Sequence, residues 1–268
     1  MSAPQLRDRV MVGPPETFLQ GDITWRSNIS SGHWRIRVNP AAPFTFQAGQ
    51  YATLGARTPQ RIVERPYSIA SSPDDQQLEF FIELVPDGEL TPLLHRLQAG
   101  DTLSLRKKAK GRFLFDRTSG RTNHLLLCTS TGIAPYVSYV RTLLKDWEGG
   151  RFTGDHRLFL LQGASRSSEF GYQSEFERIA SEVPWLTYVP TVSRPQEDPA
   201  WTGETGRLDS VLERYVDQWS LDGRQTTAYL CGHPGMIERG KEILRRRGWP
   251  IDALREETYS PLARPIRS

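Results

Sequence analysis

The sequence predicts two successive halves of different fold class, an antiparallel β-barrel followed by a parallel-sheet α/β domain. Three observations carry this. The chain has 268 residues, enough for two cores at roughly 150 residues per domain. Up to about Gly120, short alternating or β-branched runs are broken by Gly, Pro, Asn and Asp, the punctuation of strands and turns. From His124 onward, apolar strands alternate with amphipathic helices, and the hydrophobic period changes from about two to about 3.6. The polar segment RTSGRTN between the halves is the natural linker. The expected division is residues 1–119, residues 120–259 and a terminal extension, residues 260–268.

In the first half the predicted strands are Asp22–Asn28, His33–Asn39, Gln50–Ala56, Arg65–Ala70, Gln77–Val85 and Asp101–Arg106. Their close spacing, with turn residues between, makes a barrel the economical solution. One helix, Thr91–Leu97, follows the turn Pro86-Asp87-Gly88, with Thr91 expected as its N-cap. In the second half, strands at His124–Cys128, Arg157–Gln162, Leu186–Ser193 and Thr227–Gly232 alternate with helices at Pro135–Trp147, Leu208–Trp219 and Met236–Arg247. A further helix is expected to open on a Ser174/Glu177 capping box, with Phe176, Ile179, Ala180 and Val183 on one stripe. In Pro135–Trp147 the corresponding stripe is Tyr136, Val140, Leu143, Leu144 and Trp147.

Composition narrows the function classes. With 37% apolar and 24% charged residues the chain is neither disordered nor fibrous. A net charge of +3 does not demand nucleic acid. No apolar run approaches the roughly 18 residues of a membrane span, and MSAPQLRDRV lacks a signal-peptide core, so a cytoplasmic location is the expectation. Cys128 and Cys231 are too few to ligate an iron–sulfur cluster, and the five histidines show no metal-ligand spacing.

Three segments carry chemistry. Arg65-Pro66-Tyr67-Ser68 sets a guanidinium that can fork onto phosphate beside a ring that can lie on another ring and a hydroxyl that can bond its edge. Alternation puts Arg65 and Tyr67 on one face and Ser68 on the other; the run also fits an ordinary surface strand. Thr129-Ser130-Thr131-Gly132-Ile133-Ala134-Pro135 joins the first apolar strand of the second half to its helix. Small residues there let a backbone approach a pyrophosphate, and Pro135 opens the helix at its positive dipole end. The alternative is a plain tight turn, since no G-x-G-x-x-G is present. Tyr229-Leu230-Cys231-Gly232-His233-Pro234-Gly235-Met236 puts a thiol at the C-terminal end of a later strand, where open parallel sheets bind ligands, although a buried cysteine is as easily a small core residue. Gly235 to Glu242 resembles a P-loop but ends in Glu where a magnesium-binding hydroxyl is required.

In this order and at these separations, with the late Glu257-Thr258-Tyr259, the motifs resemble the ferredoxin–NADP(+) reductase family, in its bacterial flavodoxin/ferredoxin branch, from about Gly21 to Tyr259. The resemblance implies an N-terminal FAD-binding barrel and a C-terminal NADP(H)-binding domain. It implies that Arg65 holds the FAD pyrophosphate, that Tyr67 stacks on the isoalloxazine beside Pro66, and that Ser68 bonds near flavin N5. Gly88, Glu89, Leu90 and Thr91 match the phosphate-gripping segment, with Phe81 and Glu83 on the strand leading into it. For the second nucleotide, Thr131 and Gly232 match the nicotinamide side, and Ser193, Arg194 and Arg207 match the 2′-phosphate contacts. Ser165 stands where bacterial relatives often carry an arginine, with Arg166 one place on. Ser130 stands where the family usually has glycine. Ser68, Cys231, Glu257 and Tyr259 are implied around the hydride-transfer point, Tyr259 as a displaceable cover. The implied partners are NADPH and ferredoxin or flavodoxin. Two alternatives remain: a reductase serving an oxygenase or free flavin, and a non-catalytic FAD-binding regulatory module.

Overall fold

The computed structural model describes residues 17–59 and 61–259. The expectations for the N-terminal ten residues and for the extension 260–268 lie outside the described residues.

The first half is a six-stranded antiparallel sheet of β1 (Phe18–Asn28), β2 (His33–Pro40), β3 (Tyr51–Arg57), β4 (Ile62–Ser68), β5 (Leu78–Glu83) and β6 (Thr102–Arg106), in the order β4-β3-β6-β1-β2-β5. The sheet curls until its edges meet, and the Ala70 N–H just past β4 donates to Glu79 O on β5. Strand alternation decides what each face does. Trp34, Ile36 and Val38 of β2, with Phe80 and Ile82 of β5, fill the barrel, and Leu94 of the short helix α1 (Thr91–Arg96) packs into the same core. The intervening β5 residues Glu79 and Phe81 point the other way, into the second half.

That half is an all-parallel sheet of β7 (Asn123–Thr129), β8 (Arg157–Ala164), β9 (Leu186–Val192), β10 (Glu204–Thr205), β11 (Thr226–Gly232) and β12 (Leu254–Thr258), ordered β10-β9-β8-β7-β11-β12. Helices α2 (Ala134–Glu148), α3 (Gln173–Glu182), α4 (Leu208–Gln218) and α5 (Pro234–Arg246) connect the strands. From β7 the chain runs outward through β8 and β9, then returns to the other side through β11 and β12. The order therefore reverses between β7 and β11, and the C-terminal ends of such strands open a ligand crevice.

Helix α2 is buried along Tyr136, Val137, Tyr139, Val140 and Leu143, each large apolar side chain contributing about 1.5–3 kcal/mol. Its burial exceeds the predicted stripe because α2 is gripped from both sides: Tyr136 Oη donates to Leu127 O of the sheet, and Tyr139 Oη to Phe113 O of the linker side. Leu144 and Trp147 are only partly buried.

Two local expectations are corrected. Thr91 does not cap α1. Its hydroxyl accepts from Val85 N (2.9 Å) and donates to Val85 O (3.1 Å), which ties the helix to the end of β5 across the Val85–Gly88 turn. The Ser174/Glu177 capping box does not form either. Helix α3 starts one residue earlier, at Gln173, and Glu177 accepts from the Gln173 amide at 2.7 Å instead. The edge strands β10 and β12 were not predicted. The former is two residues long, and the latter, LREET, is too charged to read as a strand although charge suits an edge.

The halves meet through a buried polar seam. Glu79, almost wholly buried, accepts from Arg37 Nε (2.9 Å) and Tyr172 Oη (2.9 Å) and lies 3.4 Å from Arg141 and 3.9 Å from Arg35. Burial pushes the Glu79 carboxyl up, but Arg141, Arg37, Tyr172 and Arg35 together hold it below the usual carboxylate range. Arg141 in turn forks onto Glu175 at 2.7 and 2.8 Å.

A cleft between the barrel and the parallel sheet

A cleft of about 1030 Å³ runs from the end of β4 across the C-terminal ends of the parallel strands. All the sequence-derived site residues line it except Cys231 and Arg166.

On the barrel wall, Arg65 donates to Glu89 Oε2 (3.0 Å) and to the Glu64 carbonyl (2.8 Å). Arg61 pairs with the same Glu89, and these two guanidiniums, Arg61 foremost, hold the Glu89 carboxyl below its ordinary range. The pairs are exposed and exchangeable, so an arriving anion could take the place of Glu89 on Arg65. Gly88 leaves room at the turn, where a Cβ would stand 3.0 Å from Val85 O. Ser68 is not turned away as alternation suggested. Because β4 ends there, Arg65, Pro66, Tyr67 and Ser68 all reach the cleft. Phe81 reaches it only by an edge, being packed against Tyr172 with ring centroids 5.6 Å apart.

At the centre the two halves touch through one short chain of polar atoms. Tyr259 Oη donates to Ser68 Oγ, and Ser68 Oγ donates to Glu257 Oε1 at 3.4 Å. Glu257 and Tyr259 are placed by β12, in parallel register with β11, where Glu257 lies beside Cys231. Glu257 Oε2 is buried with no hydrogen-bond partner among the described residues. Burial pushes the Glu257 carboxyl up to about 7. Cys231 is fully buried under Tyr259, with which its thiol interacts, and burial pushes the thiol well up. It meets the cleft only if Tyr259 moves.

The opposite wall is made of loops at strand ends. The Thr129–Gly132 turn is pressed against β11: a Cβ on Gly132 would fall 2.5 Å from Cys231 O, and one on Gly232 (φ +121°) 2.6 Å from Thr129 Oγ1. Both positions need glycine for this close approach. Thr131 and Ser165 line the cleft beyond it. Ser165 N–H is bound by Glu169 (3.0 Å), while Arg166 turns out of the cleft onto Glu197 and Glu169. Ser193, Arg194 and Arg207 stand at the far end, the two arginines exposed and only loosely paired, Arg194 with Glu197 at 3.7 Å and Arg207 with Asp209 at 3.5 Å.

Sequence reasoning missed Asp209, His233 and Arg255 in the lining. Asp209 could have been found from its place in the first turn of α4, two residues after Arg207. Arg255 pairs with Asp116, just before the linker and 139 residues away, a contact that no local pattern announces.

These walls fit two extended dinucleotides. The cleft has the volume, a guanidinium with an exchangeable partner at one end and two at the other, and a buried orphan oxygen at the centre. Fold and cleft define an oxidoreductase with one nucleotide on a barrel and another on a parallel sheet. Residues 23–115 match the oxidoreductase FAD-binding domain and residues 126–242 the oxidoreductase NAD-binding domain. The chain is 30% identical over 230 residues to the flavodoxin/ferredoxin–NADP reductase of Escherichia coli (strain K12), covering 82% of this chain and 87% of that one. It is also 30% identical over 256 residues to the ferredoxin–NAD(P)(+) reductase component of the naphthalene 1,2-dioxygenase system of Pseudomonas putida, covering 94% and 72%. A crystal structure of a ferredoxin NADP+ reductase from Neisseria gonorrhoeae with bound FAD and NADP superposes with a TM-score of 0.79, at 24% identity, over 90% of this chain and 98% of that one. The protein belongs to the ferredoxin–NADP reductase family and is an FAD- and NAD(P)-binding oxidoreductase. Among the described residues no helix is long and apolar enough to cross a membrane.

Proposed function

We propose that this chain takes hydride from NADPH and passes electrons one at a time to a ferredoxin or flavodoxin. The observation that carries the reading is the Tyr259–Ser68–Glu257 chain at the midpoint of the cleft, where the barrel wall and the nucleotide wall converge. FAD bound along the barrel wall would supply what side chains lack, reduction by two electrons and reoxidation in single steps. Arg65 anchors its phosphates, Gly88 and Thr91 shape the turn beneath them, and Tyr67 and Ser68 fix the ring end. Tyr259 occupies the position a nicotinamide needs and keeps water out until it is displaced; this lowers the apparent nicotinamide affinity. Glu257, its carboxyl pushed up to about 7 by burial, can hold or release a proton near neutral pH beside the reacting centre, and Ser68 Oγ orients it.

Preference for NADPH over NADH is assigned to Arg194 and Arg207, with Ser193, since guanidiniums with weak partners are free to fork onto a 2′-phosphate. Arg166, already paired with Glu197, contributes less than its position in the sequence suggests.

A second reading, a reductase feeding an oxygenase, is favoured by the likeness to the naphthalene dioxygenase reductase component. Cys128 and Cys231 lie buried on neighbouring strands and cannot by themselves bind a cluster, so in either reading the one-electron acceptor lies outside the described residues. The test is the absorption spectrum of the purified protein. Bleaching of a flavin band by NADPH and its recovery on adding ferredoxin or flavodoxin support the first reading. Recovery only with an oxygenase-system ferredoxin supports the second, and a flavin that NADPH does not bleach overturns both in favour of a non-catalytic module.

A further inference from the structure

We propose that His33 and Glu83 are positioning residues for the nicotinamide-nucleotide turn, acting by bracing Ser130 in a left-handed backbone conformation. The proposal rests on the reading of the Thr129–Pro135 turn as a wall for that nucleotide. Ser130 has φ +47°, one of only two non-glycine residues with positive φ among those described. A Cβ makes that region costly, so such a residue persists where its surroundings over-determine it.

The surroundings here come from the other half of the molecule. Ser130 Oγ donates to Glu83 Oε2 at 3.0 Å and lies 2.9 Å from His33 Nε2. Glu83 ends β5 and His33 begins β2, paired directly across the barrel sheet. Proton counting fixes the roles. The single hydroxyl hydrogen of Ser130 goes to the carboxylate, so His33 donates from Nε2 and Ser130 accepts. His33 Nδ1 is then free to accept from Ser30 Oγ at 3.0 Å, and Ser30 Oγ accepts from Gly32 N–H at 3.3 Å. The nearby His33 ring, with Nε2 3.7 Å from Glu83 Oε2, and after it the Ser130 hydroxyl hold the Glu83 carboxyl below its usual range against the effect of burial. The trio is not a hydrolytic triad, because the carboxylate bonds the serine and the far ring nitrogen faces another serine.

The consequence is directional. The turn has no slack toward β11, where Gly132 is pressed on the Cys231 carbonyl and Thr129 Oγ1 accepts from His233 N–H at 3.0 Å. Among the described residues, the side-chain hydrogen bonds of Ser130 run to the barrel side, and through them the Ser130 peptide is braced. That peptide sets where Thr131 and the first amides before α2 point into the cleft. The two cofactor-binding halves are thereby coupled at the place where the nucleotides must meet.

The test measures the effect of His33→Ala in two backgrounds, the parent chain and Ser130→Gly, since glycine adopts positive φ without a brace. KM and kcat for NADPH are measured with ferricyanide as acceptor, alongside melting temperature. In the parent, His33→Ala is expected to raise KM about tenfold with kcat changed less than about twofold. In the Ser130→Gly background the same substitution is expected to move KM by less than about twofold, and its effect on melting temperature is expected to shrink in parallel. An unchanged KM in the parent, or the same rise in both backgrounds, overturns the proposal. Thr131→Trp separates this from the reading beneath it. It is expected to raise KM by blocking the wall. If it does not, the turn is no nucleotide wall and the positioning role is overturned, while the background-dependent melting temperature still reports the brace.

Discussion

The seam and the cleft lie side by side along β5 and use the same chemistry, arginine on carboxylate, to opposite ends. In the seam, Glu79 is 3% exposed and faces Arg141, Arg37, Arg35 and Tyr172. In the cleft, Arg194 and Arg207 are 53% and 65% exposed, and each has a carboxylate 3.5 Å or more away. Burial makes the first set permanent, because an unpaired charge there cannot be rescued by water. Exposure makes the second set exchangeable, because losing a carboxylate to a phosphate costs little. The difference teaches that an ion pair's function here is read from its solvent access and not from its partners.

The largest expected effect comes from breaking the seam. Glu79→Leu removes the buried carboxylate that Arg141, Arg37 and Arg35 share, leaving Arg141 with Glu175 alone, and is expected to destabilise the fold by about 3–5 kcal/mol, read from the urea midpoint. A shift below about 1 kcal/mol would remove the contrast with the cleft. Next, Arg194→Ala with Arg207→Ala should leave stability within about 0.5 kcal/mol. It should raise KM for NADPH about thirtyfold, equivalent to about 2 kcal/mol of charge-assisted bonding, with NADH changed less than about twofold. Equal losses for both nucleotides would mean that these arginines do not meet the 2′-phosphate.

The same contrast explains what could be read from the sequence. Strands and helices were legible because alternation and the 3.6-residue period are local, and β5 illustrates it: Phe80 and Ile82 inward, Glu79 and Phe81 outward. The cleft residues were legible where a motif sits on one segment, as in Arg65 to Ser68. What was not legible depends on approach between distant segments: the Glu79 network across 62 residues to Arg141, the Ser130–His33 contact across 97, and the packing that buries Cys231 beneath Tyr259. Thr91 and Ser174 failed as caps for the same reason, since the Val85 backbone claimed the Thr91 hydroxyl and Tyr172, anchored in the seam, set the start of α3.

A smaller effect is expected at the junction of the two regions. The Tyr259 ring is held by the hydrogen bond of its hydroxyl to Ser68 and by contact with Cys231, while its backbone N–H donates to Gly232 O at 3.1 Å, and an aromatic contact is worth about 0.5–1.5 kcal/mol beyond its buried area. Tyr259→Ser should bind NADP+ about threefold to tenfold more tightly, as a stronger charge-transfer band in a titration, and should slow turnover as product release becomes limiting. If affinity and band are unchanged, Tyr259 is not a cover.

The smallest effect is one of pH, and it tests whether a buried carboxyl in the cleft behaves as those in the seam do not. Glu257, unlike Glu79, has no cation beside it among the described residues; burial raises it to about 7 from the usual 4.5, with Ser68 opposing. In the folded chain it is protonated below about 7 and ionised above. The sign for stability follows: between about 4.5 and 7 the unfolded chain has lost this proton and the folded chain has not, so this group makes stability fall as pH rises through that window. The sign for binding is the reverse. An anion forming beside the cationic ring of NADP+ favours it, whereas the uncharged ring of NADPH gains nothing. The ratio of NADP+ to NADPH affinity should therefore rise about threefold between pH 6 and 8, modest because one face of the site stays open to water. Glu257→Gln, which keeps the shape and cannot ionise, should flatten that ratio while leaving flavin content unchanged. A ratio that climbs as steeply in Glu257→Gln as in the parent assigns the titration to another group, and Glu257 then holds its proton without influence on which nucleotide stays.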